Sequence, residues 1–330
     1  MIDSMRRRAA LAGVLMLAAG LPGLVHAQAP AWPSRPVKIA VPAPAGSSLD
    51  IVARLLGERL QARWQQPVVV ENRPGAGGLL GTDVAAKAAP DGHTMALSFN
   101  GPVAFAPFLY RKVPYDAAKD LAPVVLTTSQ PNVLAVNAAK VPAKTVKEFV
   151  DWARAAHGAM NYASLGNGSS AHLTMALFLA EAGIEGVHIP FNGSPPAALA
   201  VAQGEADAAF MVAPALLPHV RSGKVRLLAV SSAQPVASLP GLPTLASAGY
   251  PAVESLAWNG LFVPAATPAA VIDRINADVN AVLADPAVRA ALEQQGLTPV
   301  GGSAAEFRRL VEAEHKRWGP IIQRIGVKLD

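Results

Sequence analysis

Short apolar runs alternate with segments of helical period along most of the chain. "VKIAV" (37–41), "VVVE" (68–71), "MALS" (95–98), "VVLTT" (124–128), "VLAV" (133–136), "NYAS" (161–164), "VHIP" (187–190), "AAFMV" (208–212) and "VRLLAV" (225–230) are short and bounded by turn residues, so each predicts a strand. The segments between them carry helix signals. Thr145 with Glu148 and Ser303 with Glu306 match capping boxes, Pro268 follows Thr267 at a first helical position, and Gly158 and Gly183 stand where C-terminal caps belong. Strands alternating with helices predict an α/β fold with mainly parallel sheets.

Two stretches break the alternation. Residues 116–131 lack strong helix signals, and residues 234–257, rich in Pro, Gly and Ser, read as a return connection. If both are crossovers, residues 33–128 and 254–330 form one lobe and residues 129–253 the other, with a ligand cleft between them. A length of 330 residues suits about two domains, and 52% hydrophobic residues suffice for packed cores. No internal repeat or low-complexity tract is evident.

The N-terminus changes the picture. Arg6, Arg7 and Arg8 precede an apolar run that ends in the small residues Val25, Ala27 and Ala29, which predicts a secretory signal peptide over residues 1–27. A membrane anchor fits less well: the uninterrupted run is shorter than the roughly 20 residues needed to span, and Gly20, Pro22 and Gly23 weaken its helix. The arginines admit either general secretory or twin-arginine export. The chain has no cysteine, hence neither disulfides nor the thiol that a lipid-anchored secretory protein carries, so a soluble periplasmic protein is expected. Cleavage removes three arginines and one aspartate and takes the formal net charge from +5 to +3. That excess suits an anionic small ligand. No basic segment with interleaved aromatics marks a nucleic-acid binder.

Two strand-to-helix turns share one chemistry. "VPAPAGSSLDIVARLL" (41–56) and "YASLGNGSSAHLTMAL" (162–177) both pass through small residues and paired serines into an apolar-striped helix. At such a junction the first amides of the helix lack intrahelical partners and the helix dipole presents its positive end, so an anion is favoured. Such a turn can hold a phosphate, expose a catalytic serine or seat a carboxylate. It can also do no more than start a helix, since Ser47 with Asp50 fits a capping pattern and Ser169 can cap its own helix. Ser47, Ser48, Ser169 and Ser170 can add hydroxyl donors. Asp50 meets a ligand's ammonium or hydroxyl if it faces the cleft, and His172, one turn past Ser169, is placed to donate to an anion.

Other chemistries lack their marks. In "ENRPGAGGLLG" (71–81) Leu80 occupies the last glycine position of a dinucleotide fingerprint, and four residues separate Val70 from Gly75, so no nucleotide cofactor is expected. There is no phosphate loop, nucleophile elbow or zinc-protease helix, and His93, His157, His172, His188, His219 and His315 sit at no metal-ligand spacing. A hydrolase would need a catalytic pairing made in space rather than in sequence.

From about Trp32 to Asp330 the chain resembles the Bug family, the periplasmic solute-binding receptors of tripartite tricarboxylate transporters. The resemblance rests on "WPSRPVKIAVPAPAG", "PVVVENRPGAGGLLGTDVAAKAAPDGHT", "YASLGNGSSAHL", "GKVRLLAVSS" and "NGLFVPAATPAAVIDRIN". It implies two α/β lobes joined by crossover strands and closing over one ligand, whose carboxylate the two serine-bearing turns hold through backbone N–H groups and waters. It implies a non-enzymatic receptor without a cofactor, working with membrane components of such a transporter or with a sensor protein.

The expected ligand-binding residues are Ser47, Ser48, Asp50, Ser164, Asn167, Gly168, Ser169, Ser170 and His172, with Asn100, Asn192 and Met211 beside them. The chain departs from the family pattern in ways that bear on the ligand. Ala43 stands where an aromatic is usual and Ser47 where a glycine is, and relatives commonly have a lysine at Asn192 and an acid near Met211. Fewer buried charges suit a ligand with fewer ionised groups, so a monocarboxylate or an aromatic or apolar-bodied carboxylate is expected over citrate, with Phe99, Phe191 and Met211 as apolar contacts. A monomer is the default. The rival readings are a secreted hydrolase of carboxylate esters or amides, and an orphan sensor whose ligand is never transported.

Overall fold

In the computed structural model two sheets share the chain. The first has six strands in the order β11–β4–β10–β3–β1–β2, built from β1 (Val37–Val41), β2 (Val68–Asn72), β3 (Thr94–Phe99), β4 (Leu121–Pro131), β10 (Leu256–Pro264) and β11 (Thr298–Pro299). The second has five, in the order β7–β6–β8–β5–β9: β5 (Val133–Asn137), β6 (Asn161–Ser164), β7 (Val187–Pro190), β8 (Ala208–Met211) and β9 (Val225–Val230). The structure describes residues 32–329, so the expected signal peptide at 1–27 lies outside the described residues. Residues 35–330 form one unit.

Helices cover both sheets: α1 (Ser48–Trp64), α2 (Leu79–Ala86), α3 (Val146–Ala155), α4 (Ser170–Ala182), α5 (Ser194–Gln203), α6 (Ala213–Arg221), α7 (Ala269–Ala284), α8 (Pro286–Gln294) and α9 (Ala304–Ile325). Val52, Leu56 and Leu60 recur at helical spacing on α1 and are buried, which fixes that helix on the first sheet. Thr145 accepts from the Glu148 amide at the start of α3, and the reciprocal Ser303–Glu306 capping box starts α9. Gly183 ends α4 in the left-handed region.

The α/β architecture is as expected, but the sheets are mixed rather than mainly parallel. β10 runs antiparallel to both β3 and β4, and β5 antiparallel to both β8 and β9. The reason is topological. The chain passes from the first sheet to the second between β4 and β5 and returns between β9 and β10. Each arriving strand starts at the edge where its neighbours end, so it must run the other way. One consequence matters for the site: the C-terminal ends of β1, β3, β4, β6 and β8 and the N-terminal end of β10 all reach the same pocket.

A buried polar seam ties the two crossings together. The backbone N–H of Asn132, between β4 and β5, donates to Ser231 Oγ at 2.9 Å, and its side-chain amide reaches Thr174 Oγ1 at 3.2 Å and Ser255 Oγ at 3.3 Å. Ser231 Oγ donates to the Ser255 carbonyl at 2.6 Å, and Thr174 and Ser255 share a 2.6 Å hydroxyl contact. Every member is buried, so the seam satisfies polar groups that water does not reach.

Candidate ligand-binding site

The strand ends and turns enclose a pocket of about 640 Å³, including the part open to solvent. Three strand-to-helix turns meet there. The first is Pro42–Ser47, between β1 and α1. Ser47 has extended backbone and caps α1, its Oγ accepting from the Asp50 amide at 3.3 Å. With Asp50 capped and Ile51 bonded to the Ser47 carbonyl, the amides of Ser48 and Leu49 have no protein partner among the described residues, and both residues line the pocket.

Asp50 does not line the pocket, contrary to expectation; it braces the turn from behind. Its Oδ2 accepts from the Gly46 amide at 2.9 Å and Arg54 Nε at 3.1 Å, and its Oδ1 from Asn72 Nδ2 at 3.0 Å. Burial pushes this carboxyl up, but the hydrogen bonds from Arg54, Gly46 and Asn72 outweigh it and hold it below the usual range. Its lone pairs are therefore committed to the protein.

The second turn, Leu165–Ser169 between β6 and α4, is built the same way. Ser169 caps α4 by accepting from the His172 amide at 3.3 Å, and Leu165, Gly166 and Ser170 line the pocket. Ser164, Asn167, Gly168, Ser169 and His172 lie outside the lining. They shape the turn instead: Ser169 Oγ donates to the Gly166 carbonyl at 2.7 Å, and the Gly168 amide donates to His172 Nδ1 at 3.2 Å. Asn167 faces the "RPGAGG" loop, where a Cβ on Gly77 would stand 2.3 Å from the Asn167 carbonyl oxygen. That approach, with Gly77 at φ +62°, requires glycine.

The third turn, Phe191–Gly193 between β7 and α5, brings Phe191, Asn192 and Ser194 to the pocket. Phe99 and Asn100 line it too. Met211 does not: its side chain is fully buried in the core of the second sheet, and Val212 takes the lining position.

Gln130, Trp258 and Asn259 were not anticipated. They sit at the crossover ends of β4 and β10, and no local motif marks them. Asn259 Nδ2 is spent on Thr128 Oγ1 at 3.0 Å, and Asn100 Nδ2 on the Leu256 carbonyl at 2.9 Å. Neither end of the Gln130 amide has a hydrogen-bond partner among the described residues, although Gln130 is only 2% exposed. Among the described residues that line the pocket, none carries an ionisable side chain.

One serine–histidine pair is present, Ser164 Oγ to His188 Nε2 at 2.7 Å. It is not a nucleophile with its base. Ser164 is fully buried off the pocket, and its hydroxyl donates to the Gly166 carbonyl at 3.1 Å, so it meets the histidine as an acceptor. Among the described residues no group of His, Cys, Asp and Glu can hold a metal ion, and no helix is long and apolar enough to cross a membrane.

Comparison with known proteins agrees with this geometry. BugT of Bordetella pertussis is 36% identical over 99% of both chains. The solved R. palustris protein Rpa4515 with adipate is 33% identical with a TM-score of 0.87, covering 90% of this chain and 99% of its own. MatC from Rhodopseudomonas palustris with bound malate is 31% identical with a TM-score of 0.83, covering 88% of this chain and all of its own. Residues 52–327 match the family described as the tripartite tricarboxylate transporter family receptor, TctC. Two capped helix starts opening on one pocket, on this fold and over nearly the whole chain, make the protein a member of that receptor family, the Bug or TctC-like solute-binding proteins, and not an enzyme.

Proposed function

We propose that the protein is a periplasmic receptor that captures a small carboxylate and presents it to the membrane components of a tripartite tricarboxylate-type transporter. The observation that carries this reading is the convergence of two helix starts, at Ser48–Leu49 and Ser170, on one pocket without ionisable lining. Backbone N–H groups at a helix start supply positive potential and directional donors, so a carboxylate can be desolvated there without a buried counter-ion. The adipate and malate held by two relatives are ligands of this class.

Residues 33–128 with 254–330 act as one lobe and residues 129–253 as the other, hinged at the Asn132–Ser231–Ser255 seam. A ligand that touches both lobes selects the closed arrangement, which the transporter then recognises. Phe99 and Phe191 supply an apolar wall, which favours a ligand with an apolar body and few charges over citrate.

The test is thermal unfolding of the secreted chain against mono-, di- and tricarboxylates, amino acids and aromatic acids. A ligand at 100 times its Kd adds about 2.7 kcal/mol of stability, a shift of a few degrees for a chain of this size. A shift with a carboxylate, and its unchanged recovery, is the expected result. Turnover of an ester or amide, or a shift confined to cations or neutral sugars, would overturn it.

A further inference from the structure

The pocket is chemically lopsided, and the lopsidedness bears on the ligand. At the two serine-bearing turns the open backbone groups are donors, the Ser48, Leu49 and Ser170 amides. Across the pocket, on β4 and β10 and after β3, donors and acceptors are balanced. Gln130 offers an NH₂ and a carbonyl, both unsatisfied, and Asn100 Oδ1 is an unsatisfied acceptor because its NH₂ is held by Leu256. Gln130 and Asn100 are both at least nine-tenths buried and both line the pocket, so an unmatched polar end there costs binding energy.

A carboxylate accepts hydrogen bonds but cannot donate one. Placed against Gln130 it would match the NH₂ and leave the carbonyl of Gln130 facing another acceptor, with no lysine, arginine or histidine in the lining to offset its charge. An alkyl end would leave both ends of the amide unmatched. A primary amide matches both, as one amide pairs with another.

We propose that the ligand carries a single carboxylate at the serine-bearing turns and a neutral group that both donates and accepts, an amide or its hydrogen-bonding equivalent, against Gln130, which thereby sets specificity at the far end. The inference rests on the carboxylate-receptor reading and narrows it. The acid behind this wall is consistent with it. Burial pushes Glu314 above the usual carboxylate range, against Arg317 and the side chains of Trp258, Asn100 and Trp318, which favours the uncharged form behind this wall.

The experiment compares three acids of one length by calorimetry: adipamate, adipate and hexanoate, which differ only in ending as amide, carboxylate or methyl. The four- and five-carbon series are run beside them. The amide is expected to bind tightest at its best length, by about tenfold or more over the other two, the factor that follows from one unmatched buried polar group. Gln130→Met should erase the preference of amide over methyl while a methyl-ended acid still binds, and Gln130→Leu serves if the first variant unfolds. A tighter diacid or alkyl acid overturns the proposal and leaves the receptor reading standing. If no acid of any series binds, this proposal falls, and the receptor reading falls with it only if the aromatic and amino acids of the unfolding panel also fail.

Discussion

The imidazole rings of His172 and His188 stack face to face, their centroids 3.8 Å apart and their planes 7° from parallel, with Tyr162 stacked against His188 at 5.0 Å. His172 starts on α4 and His188 on β7, so the stack fastens the second turn to its neighbouring strand. Burial holds His172 down at about 3, with His188 adding to the effect, and burial holds His188 down at about 4.

Both rings are therefore neutral when folded, whereas an unfolded histidine takes its proton near 6.5. Below that pH the unfolded chain binds more protons, so stability is full above about pH 6.5 and falls as the pH drops toward 3. The loss for the two rings by pH 4.5 should be on the order of 5 kcal/mol, read as denaturant midpoints at pH 7.5, 6.0 and 4.5. His172→Phe should be less stable at pH 7.5, because the Gly168 amide loses its partner, yet show a shallower pH slope. Parallel slopes for the two proteins would reject the assignment.

Asp50 makes the first turn vulnerable to a one-atom change. Asp50→Asn keeps the shape but sets an NH₂ against donors from Gly46, Arg54 or Asn72. It should cost about 1.5–3 kcal/mol, nearly as much as Asp50→Ala, and weaken ligand binding by loosening Ser47 and Ser48. Urea unfolding of the two variants side by side checks it; a silent Asp50→Asn would mean the carboxylate charge is not needed there.

Gly77 tests the proposed closure of the lobes. Its missing Cβ leaves room for the Asn167 carbonyl, which belongs to the opposite turn. Gly77→Ala should lower affinity for the ligand by about tenfold or more, beyond the modest fall in ligand-free melting point that the left-handed backbone at φ +62° brings on its own. Small-angle scattering with and without ligand would show whether the variant still compacts.

Asn132 lies off the pocket yet reaches it, since Ser170 Oγ donates to its Oδ1 at 3.5 Å. Asn132→Ala strips partners from Thr174, Ser255 and Ser170 and should destabilise by about 1–3 kcal/mol. A double-mutant cycle with Ser170→Ala, read in ligand affinity, should show coupling; simple additivity would count against a link between seam and site.

Ser303→Ala is the contrasting case. The capping box on α9 is exposed and far along the chain from the serine-bearing turns, so its loss should cost about 1 kcal/mol with ligand affinity unchanged.

What could be read in the sequence follows from what is local. β1, β6, β7 and β9 fall on the residues that the apolar runs mark, and both serine-bearing turns are found where strand gives way to helix. β10 escaped because "LAWNGLFVP" contains Asn259–Gly260, a dipeptide that ordinarily signals a hairpin. Here Gly260 is present for packing instead: a Cβ would stand 2.1 Å from the Phe307 ring, which lies on the strand. Sheet direction was missed because it depends on the crossings rather than on any one strand. The serines were recognised as a pair, but which members face the pocket depends on the cap itself. Ser47 and Ser169 spend their oxygens on helix amides, Ser164 points into the turn, and Ser48 and Ser170 stand at the lining with the capping Ser47 beside them. Gln130 is visible only once β4 and β10 are paired.

The placement of β10 also orders the assembly of the chain. β3 and β4 are separated in the first sheet by a strand that begins at Leu256, well over a hundred residues after β4 ends. Every strand of the second sheet, by contrast, lies between Val133 and Val230. Loop closure favours near partners, so the middle of the chain can complete its sheet while the first still has a gap at its centre. A polypeptide emerging N-terminus first would thus hold β1 to β4 in an unfinished state until the return strand arrives.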